Sequence, residues 1–285
     1  MSRLARPALP PEPLCVALAL GGGAGLGWAH IGVLRALLAR GVVIDAVAGT
    51  SIGAVAAACL AADRLDVLEE LARSANLRKV VRFLDVNLRR GSLLGGRAVA
   101  RELRKHFGEQ RLEALTIPCA VLAADLVSGT EVVLTSGSIV DAVRASIAIP
   151  GIFPPVRQGD MLLVDGGVLN PVPVRAVRAL SNAPVIAVNL QGDYLRRAET
   201  GMSPHARALT PMRVGRAGIS LLMAQLARQS LALDPPELEL ALPVGHIHVR
   251  NFTKAHELID IGAAAVAANW TAIEALAAPT NRAAG

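Results

Sequence analysis

Aromatic residues and long apolar runs are scarce in this chain, and prolines interrupt its N-terminal segment. Only 2% of its 285 residues are aromatic although 53% are hydrophobic, so alanine, valine and leucine must build the core. A helix that crosses a bilayer needs about 18 or more apolar residues in a row, and the best N-terminal run, residues 14–20, is far shorter. The segment before it carries Pro7, Pro10, Pro11 and Pro13, which spoil the apolar region of a signal peptide. We expect residues 1–13 to be a disordered, proline-rich leader and the chain to be a soluble cytoplasmic protein.

Cysteine is also rare, and its spacing excludes a disulfide framework. Cys15, Cys59 and Cys119 lie in apolar stretches without C-x-x-C spacing, so we expect buried thiols. His, Cys and Asp residues nowhere cluster with metal-site spacing, so the sequence predicts neither a metal nor a cofactor. The high hydrophobic share excludes global disorder. No strong linker divides the chain, and residues 14–280 are predicted to form a single domain.

Acidic residues are nearly missing from one stretch, and this makes the charge uneven. The net charge is +6, and ten basic residues lie between Arg73 and Lys105, opposed only by Asp85 and Glu102. This basic segment predicts peripheral contact with an anionic membrane, and the alternative is a solvated helical surface. Nucleic acid is a less favoured partner because Phe83 is the only aromatic residue within the segment, which leaves no platform for base stacking.

Strand and helix patterns alternate along the N-terminal part of the chain. Cys15–Leu20 and the run 42–48 are short and apolar, as in buried strands, whereas 28–40 and 54–62 have helical spacing. This alternation predicts an α/β domain with a parallel or mixed sheet. Further helices are predicted over 63–77, 98–107, 139–147, 213–231 and 254–278. Further strands are predicted over 118–124 and 130–135, which form a hairpin, in short pieces within 153–164, and over 185–190, 237–241 and 246–249. Residues 191–211 are predicted to be a mobile, irregular loop.

The strongest chemical signal is Gly49-Thr50-Ser51-Ile52-Gly53, a G-x-S-x-G pattern. It lies where an apolar strand turns into a helix of small residues. Such a turn is sharp and strained, so Gly49 and Gly53 must lack side-chain bulk while Ser51 is held above the sheet edge. This context predicts a nucleophile elbow.

A glycine-rich loop, Gly21-Gly22-Gly23-Ala24-Gly25-Leu26-Gly27, provides the second signal. Consecutive glycines free backbone amides to bind an anionic oxygen. A Walker A loop would end in Gly-Lys-Ser/Thr, and a dinucleotide fingerprint needs glycines at i, i+2 and i+5; neither template fits. An oxyanion hole therefore fits better than a nucleotide site. A third signal, Asp165-Gly166-Gly167, is by itself more typical of an ordinary turn.

Together these motifs resemble the patatin-like phospholipase family, in particular its bacterial members. The resemblance covers residues 14–190 in four blocks: 20–34 with its His30-Ile31-Gly32-Val33-Leu34 end, 49–54, 145–156 (ASIAIPGIFPPV) and 165–167. It implies a three-layer α/β/α fold with a central, mostly parallel sheet. It also implies a lipid or acyl-ester substrate, such as a phospholipid or lysophospholipid, and no cofactor.

The resemblance further implies a Ser–Asp dyad. Ser51 would be the nucleophile, Asp165 its base, and the amides of Gly22 and Gly23 the oxyanion hole. The chain departs from the family at Leu26, where members usually carry Arg or Lys; this puts phospholipid preference in doubt more than hydrolysis.

Several alternatives remain open at this point. A Ser-acid-His triad would recruit His246 or His248, which we expect instead to be solvated or capping residues. His30 is expected to be a structural hydrogen-bonder, and Ser146 lacks the glycine elbow of a nucleophile. The chain would otherwise be a small-ester or thioester hydrolase, or a non-catalytic regulatory protein that retains the fold. The helix over 215–233 would cover the site, touch lipid or pack on the core.

Overall fold

An eight-stranded sheet forms the centre of the fold. A computed structural model of the chain describes residues 14–75, 96–201 and 210–276. The strands, in chain order, are β1 (Cys15–Leu20), β2 (Val43–Thr50), β3 (Cys119–Asp125), β4 (Glu131–Leu134), β5 (Val156–Gln158), β6 (Met161–Asp165), β7 (Val185–Asn189) and β8 (Leu238–Ala241). They are arranged β5-β6-β3-β2-β1-β7-β8, and β4 also pairs with β3.

The sheet is parallel from β8 through β7, β1 and β2 to β3. Antiparallel pairing begins beyond β3, where β4 and β6 both pair with it and β5 pairs with β6. The β3–β4 pair is the hairpin predicted around Ser128-Gly129, with Ala123 opposite Val132. The parallel part confirms the prediction of a central, mostly parallel sheet.

Helices flank the sheet and connect its parallel strands. They are α1 (Ala29–Leu38), α2 (Ile52–Ala61), α3 (Leu65–Arg73), α4 (Arg97–Phe107), α5 (Ile139–Ser146), α6 (Val174–Arg178), α7 (Tyr194–Gly201), α8 (Pro211–Leu233), α9 (Ala255–Ala268) and α10 (Trp270–Ala275). Parallel strands need such crossover connections because a tight turn cannot join them.

The two faces of the sheet carry side chains of different size. Along β1, Val16, Leu18 and Leu20 belong to the larger core, which α1, α2, α5 and α9 complete. Ala17 and Ala19 point to the other face, where they pack with alanines of β2 and β3 and with residues of α6 and α8. Strand side chains alternate between the two faces of a sheet, so this sequence places larger side chains on one face and mostly small ones on the other. The three-layer α/β/α arrangement is thereby confirmed.

Close packing of α1 against α9, on the face with the larger side chains, depends on two glycines. A Cβ atom on Gly32 of α1 would lie 1.9 Å from the carbonyl oxygen of Ile259 in α9. A Cβ atom on Gly262 of α9 would lie 2.1 Å from the carbonyl oxygen of Ala29 in α1. The two helices touch backbone to backbone, which only glycine permits at these positions.

Three predicted elements were wrong. The predicted loop 191–211 contains helix α7, because Tyr-Leu-Arg-Arg-Ala-Glu is a run of adequate helix formers that packs on α8. Residues 246–249 form turns instead of a strand, with the Ile247 amide bonded to the Val244 carbonyl. The predicted helix 254–278 divides at Asn269, whose side chain donates to the Ala265 carbonyl at 2.8 Å.

Some predictions fall outside the described residues. These are the proline-rich leader 1–13, the middle of the basic segment at 76–95 and residues 202–209 of the predicted loop. Within the described residues, Cys59 and Cys119 are buried free thiols, as predicted, and Cys15 is half-buried. Searching the same residues finds no helix with the length and apolarity needed to cross a membrane.

Candidate active site

Ser51 occupies a strained turn between β2 and α2. Its backbone has φ +56° and ψ −124°, a conformation that non-glycine residues rarely adopt. The turn is so tight that a Cβ atom on Gly49 would lie 2.2 Å from the Gly53 carbonyl oxygen. A Cβ atom on Gly53 would lie 2.1 Å from the Leu20 carbonyl oxygen of β1. These contacts are the physical reason for the glycine spacing, and a tight strand-to-helix turn of this kind is what a nucleophile elbow requires.

The sheet topology brings Asp165 to Ser51. Thr50, the last residue of β2, lies opposite Leu122 of β3, and Asp165, the last residue of β6, lies opposite Ala123. The ends of β2 and β6 therefore meet at adjacent positions of one strand. The Ser51 hydroxyl donates to Asp165 Oδ2 at 2.5 Å, across 114 residues of sequence.

Burial makes Asp165 an unusually strong base for a carboxylate. Its side chain is 5% exposed, and burial raises its pKa to about 6, against the opposing effect of hydrogen bonds from Ser51 and Gly167. Oδ1 accepts the Gly167 amide at 2.8 Å, which leaves Oδ2 directed at the serine. The two glycines that follow Asp165 allow this fit, because a Cβ atom on Gly166 would lie 2.7 Å from the Leu122 carbonyl oxygen.

Ser146 supports the turn that carries Ser51. Its fully buried hydroxyl accepts the Ser51 backbone amide at 2.8 Å. That amide has no other acceptor among the described residues, since the strained backbone of Ser51 takes it out of the sheet and the helix. Sequence reasoning considered Ser146 only as a rival nucleophile and missed this supporting contact. Its position at the end of α5, beside β3 in the fold, becomes visible only with the tertiary structure.

The glycine-rich loop passes beside the serine. A Cβ atom on Gly22 would lie 3.4 Å from Ser51 Cβ, so the loop backbone borders Ser51. The Gly22 amide donates to the Pro171 carbonyl at 2.9 Å. In contrast, the amides of Gly23, Ala24 and Ile52 have no acceptor within the described part of the chain. Gly22 would act as an oxyanion donor only by exchanging its Pro171 bond, whereas Gly23 is available without change.

Two buried side chains fix the carbonyl groups of this loop. His30 Nε2 lies 2.8 Å from the Gly21 carbonyl oxygen, and burial lowers the pKa of His30 to about 4, so the ring is neutral and donates this bond. This confirms His30 as a structural hydrogen-bonder. Gln191 donates from Nε2 to the Gly22 carbonyl at 3.2 Å. Gln191 in turn accepts a hydrogen bond from Arg197 of α7 at 2.6 Å.

The other histidine candidates do not pair with Ser51. His246 is exposed and lies 2.9 Å from Glu257, while His256 is exposed and contacts Arg73. His248 is exposed, and its Nδ1 accepts the Arg250 amide. The residue that accepts the Ser51 hydroxyl is a carboxylate, which favours the dyad over the rival triad. Within the described residues, no group of three or more His, Cys, Asp or Glu side chains is arranged to hold a metal.

Two helices that pack on each other, α7 and α8, carry exposed apolar side chains, which we call the apolar ridge. We define it as Val214, Ile219, Leu221 and Leu222 of α8 together with Leu195 of α7, which packs on α8; these side chains are 41–78% exposed. The C-terminal half of α8 sits against the Asp165 loop: a Cβ atom on Gly167 would lie 3.4 Å from Met223 Cε, and Ser230 Oγ donates to Asn170 Oδ1. Helix α8 carries Arg213, Arg216 and Arg228 and no acidic residue.

A strained serine at a strand-to-helix turn of an α/β sheet, beside a buried carboxylate and a glycine-rich loop, is the arrangement typical of an acyl hydrolase. The chain belongs to the patatin-like phospholipase family, whose model matches residues 18–178, a span that contains both Ser51 and Asp165. This confirms the resemblance drawn from the motifs. Membership implies lipid ester hydrolysis as the class of activity.

Individual relatives support the same family. The chain is 40% identical over 177 residues to an uncharacterised NTE family protein of Mycobacterium tuberculosis strain H37Rv, covering 62% of this chain and 49% of that protein. It is 32% identical over 182 residues to the neuropathy target esterase of Drosophila melanogaster, covering 61% and 13%. It is 31% identical over 203 residues to patatin-like phospholipase domain-containing protein 7 of Mus musculus, covering 68% and 15%. The chain therefore spans about half the length of the mycobacterial relative and much less of the animal ones.

Among solved structures, the chain is similar to VipD from Legionella pneumophila. That likeness has a TM-score of 0.42 and 13% identity, and it covers 88% of this chain and 67% of the other.

Proposed function

We propose that this chain is a serine acyl hydrolase that cleaves lipid carboxylic esters through a covalent acyl-Ser51 intermediate. The observation that carries the proposal is the 2.5 Å hydrogen bond from the Ser51 hydroxyl to a buried Asp165, made at a strained elbow. A serine hydroxyl is a weak nucleophile until a neighbouring base accepts its proton. A carboxyl whose pKa lies at about 6 is ionised at neutral pH and yet basic enough for that task.

The first half-reaction forms the acyl-enzyme. Ser51 Oγ attacks the ester carbonyl carbon while its proton passes to Asp165 Oδ2, and the carbonyl oxygen becomes an oxyanion. When the tetrahedral intermediate collapses, the bond to the alcohol breaks and Asp165 returns the proton to the leaving oxygen. Ser51 stands at the N-terminus of α2, whose partial positive charge favours the developing anion.

The oxyanion needs donors about 2.7–3.1 Å away. We propose the Gly23 amide for this role, with Ile52, the residue that follows the nucleophile, as a second donor. Gly22 contributes if substrate displaces its Pro171 bond. The second half-reaction repeats the sequence with water: Asp165 takes a proton from water, hydroxide attacks the acyl carbon, and the proton returns to Ser51 Oγ as the carboxylic acid leaves.

The apolar ridge favours esters held in a lipid surface over small soluble esters. Large aliphatic side chains exposed on two helices that pack on each other are typical of a surface that meets a partner. A helix with arginines and no carboxylates complements anionic headgroups. Because α8 packs against the Asp165 loop, a membrane bound to the ridge is held near the dyad. We propose peripheral contact with an anionic lipid surface on this basis, and a cytoplasmic location stays a prediction.

The dyad is tested by fluorophosphonate labelling together with hydrolysis of a short and a long acyl ester. Ser51→Ala should abolish labelling and turnover, and Asp165→Asn should abolish turnover and slow labelling strongly. Ser128→Ala and Asp141→Asn are matched controls, since both residues are exposed, and should behave as wild type. Labelling that survives Ser51→Ala would refute the assignment of the nucleophile. A wild-type chain that neither labels nor hydrolyses any ester would instead favour a regulatory protein.

The lipid surface is tested separately from catalysis. Ser51→Ala protein should bind vesicles that contain phosphatidylglycerol more tightly than vesicles of phosphatidylcholine alone. Adding Ile219→Gln and Leu222→Gln should reduce this binding about tenfold, which corresponds to roughly 1.4 kcal/mol of lost apolar contact. Leu233→Gln is the matched control, because Leu233 is 81% exposed on the same helix beyond the ridge. If all three substitutions changed vesicle binding equally, the ridge would not be a specific lipid contact. That outcome would argue for a small-ester or thioester hydrolase.

A further inference from the structure

The Gly22–Gly23 peptide group is held in one orientation by a side chain outside the glycine-rich loop. Gln191 follows β7, is 6% exposed, and donates from Nε2 to the Gly22 carbonyl oxygen at 3.2 Å. Its own backbone is fixed, because its amide donates to Asn189 Oδ1 at 2.8 Å and the Asn189 amide group donates to Glu239. The donor that reaches the loop is therefore rigidly placed.

Fixing a carbonyl also fixes the following amide. In a trans peptide the N–H of residue i+1 points opposite to the C=O of residue i. With the Gly22 carbonyl directed at Gln191, the Gly23 N–H is directed away from it, and it has no acceptor among the described residues. The same loop borders Ser51, as the 3.4 Å approach between a Cβ on Gly22 and Ser51 Cβ indicates.

Arg197 determines which end of the Gln191 amide faces the loop. Its Nη1 donates to Gln191 Oε1 at 2.6 Å and its Nη2 donates to the Leu190 carbonyl at 2.9 Å. A guanidinium only donates, so Oε1 must face Arg197 and Nε2 must face Gly22. The charge on Arg197 also polarises the amide and strengthens the bond that Nε2 makes.

The loop has no cation of its own. Residues 21–28 contain no Lys or Arg, and Leu26, near the end of the loop, is fully buried. The guanidinium of Arg197 is partly buried, and burial lowers its pKa while Asp193 opposes the shift, so the residue keeps its charge. Helix α7 thus brings a positive charge to a loop that lacks one.

We propose that Gln191 and Arg197 are positioning residues that aim the Gly23 amide at the carbonyl oxygen of the ester. This inference rests on the proposed function and adds a specific support to it. Neither side chain touches the substrate. Their effect is to hold the oxyanion donor in place before the reaction, so that no reorganisation is needed when charge develops. Removing an oxyanion donor outright typically costs about 10²–10³ in kcat, so loosening its support should cost less, about 10–100-fold.

The test compares variants that keep volume but remove a defined bond. Gln191→Met preserves size and removes the donor to Gly22, and Arg197→Met preserves the packing and removes the charge. Arg196→Met is the matched control, on the exposed neighbour in the same helix. On a soluble short-chain ester, Gln191→Met and Arg197→Met should each lower kcat about 10–100-fold with KM changed less than twofold. Fluorophosphonate labelling should slow in parallel, because the phosphoryl oxygen uses the same amide.

Two further measurements separate positioning from simple loss of folding. Thermal unfolding should stay within a few degrees of wild type for each variant. Activity of Arg197→Ala should be partly restored by millimolar guanidinium, whereas Arg196→Ala should show no such rescue.

The outcomes distinguish a failure of the positioning role of Gln191 and Arg197 from a failure of the proposed function. If the wild type is active and Gln191→Met has the same kcat and the same labelling rate, the positioning role of Gln191 and Arg197 is wrong and the proposed function is unaffected. A fall in activity that follows a fall in the unfolding midpoint, without guanidinium rescue, would also overturn the positioning role. A wild-type chain without labelling or hydrolysis would overturn the proposed function and the positioning role together.

Discussion

The raised pKa of Asp165 predicts that this carboxylate destabilises the folded protein at neutral pH. The pKa rises from its ordinary value of 3.8 to about 6 because the side chain is buried. Between these two values the native state binds a proton that the unfolded state has lost, so the free energy of unfolding falls as pH rises through this window. Each pKa unit corresponds to 1.36 kcal/mol, so a shift of about two units amounts to about 3 kcal/mol.

Replacing Asp165 by Asn removes this titration while keeping the shape of the side chain. Urea unfolding of wild type and Asp165→Asn should be measured at pH 4 and pH 7. Because the unfolded carboxyl is already more than half ionised at pH 4, the variant should gain about 2 kcal/mol relative to wild type between the two pH values. Comparing the pH values cancels any constant effect of the amide. The Ser51 hydrogen bond favours the ionised form, so Ser51→Ala should extend the wild-type decline to higher pH.

The result that would refute this reasoning is a difference between wild type and Asp165→Asn that is the same at pH 4 and pH 7. A decline in the opposite direction, with wild type gaining on the variant as pH rises, would mean that the hydrogen bonds from Ser51 and Gly167 outweigh burial. Asp165 would then be a weak base, and the proposed proton transfer would lose its physical support.

Three other predictions follow from the same geometry. The value of kcat/KM on a soluble ester should fall tenfold per pH unit below about pH 6, where Asp165 becomes protonated, and a profile that is flat down to pH 4.5 would contradict the role of Asp165 as base. Ser146→Ala should leave the strained Ser51 amide unpaired and cost roughly 1–3 kcal/mol of stability by urea unfolding, with a lower kcat. Ser138→Ala, at the half-buried N-cap of α5, should cost less than about 1 kcal/mol and keep kcat, and equal effects of the two substitutions would count against the support role of Ser146. Gly32→Ala should destabilise by about 3 kcal/mol because its Cβ meets the α9 backbone, whereas Gly218→Ala, which meets open space in α8, should be neutral or stabilising; a neutral Gly32→Ala would show that α1 and α9 separate easily.

Local pattern predicted much of the sheet. Strand β1 has the predicted bounds, and β2 and β3 differ from prediction by one or two residues, because fully buried strands leave continuous apolar runs. The short helix α6 was missed, since five residues carry too little periodicity to stand out. Helix α7 was missed because its polar composition is typical of a loop and only packing on α8 explains its order.

The candidate site divides in the same way. The elbow at Ser51 follows from glycine spacing, because the steric demand is local. The meeting of Ser51 with Asp165 does not, since it depends on how β2 and β6 share β3. The engagement of the Gly22 amide and the contacts of Ser146 and Gln191 join residues 95 to 169 positions apart, and no local pattern contains such information. The roles of Ser51, Asp165, Gly22 and Gly23 stay predictions until the variants are measured.

Because β2 and β6 both pair with β3, Ser51 and Asp165 come from different halves of the chain and meet only when the sheet is formed. A break in the exposed turn after Asp125, around Ser128 and Gly129, would leave Ser51 on one fragment and Asp165 on the other. Each fragment would hold an incomplete sheet with an open strand edge, and only their reassembly would restore the pair. The proposed hydrolysis would therefore require a whole, correctly paired sheet, so recovery of activity on mixing the two fragments would measure their reassembly.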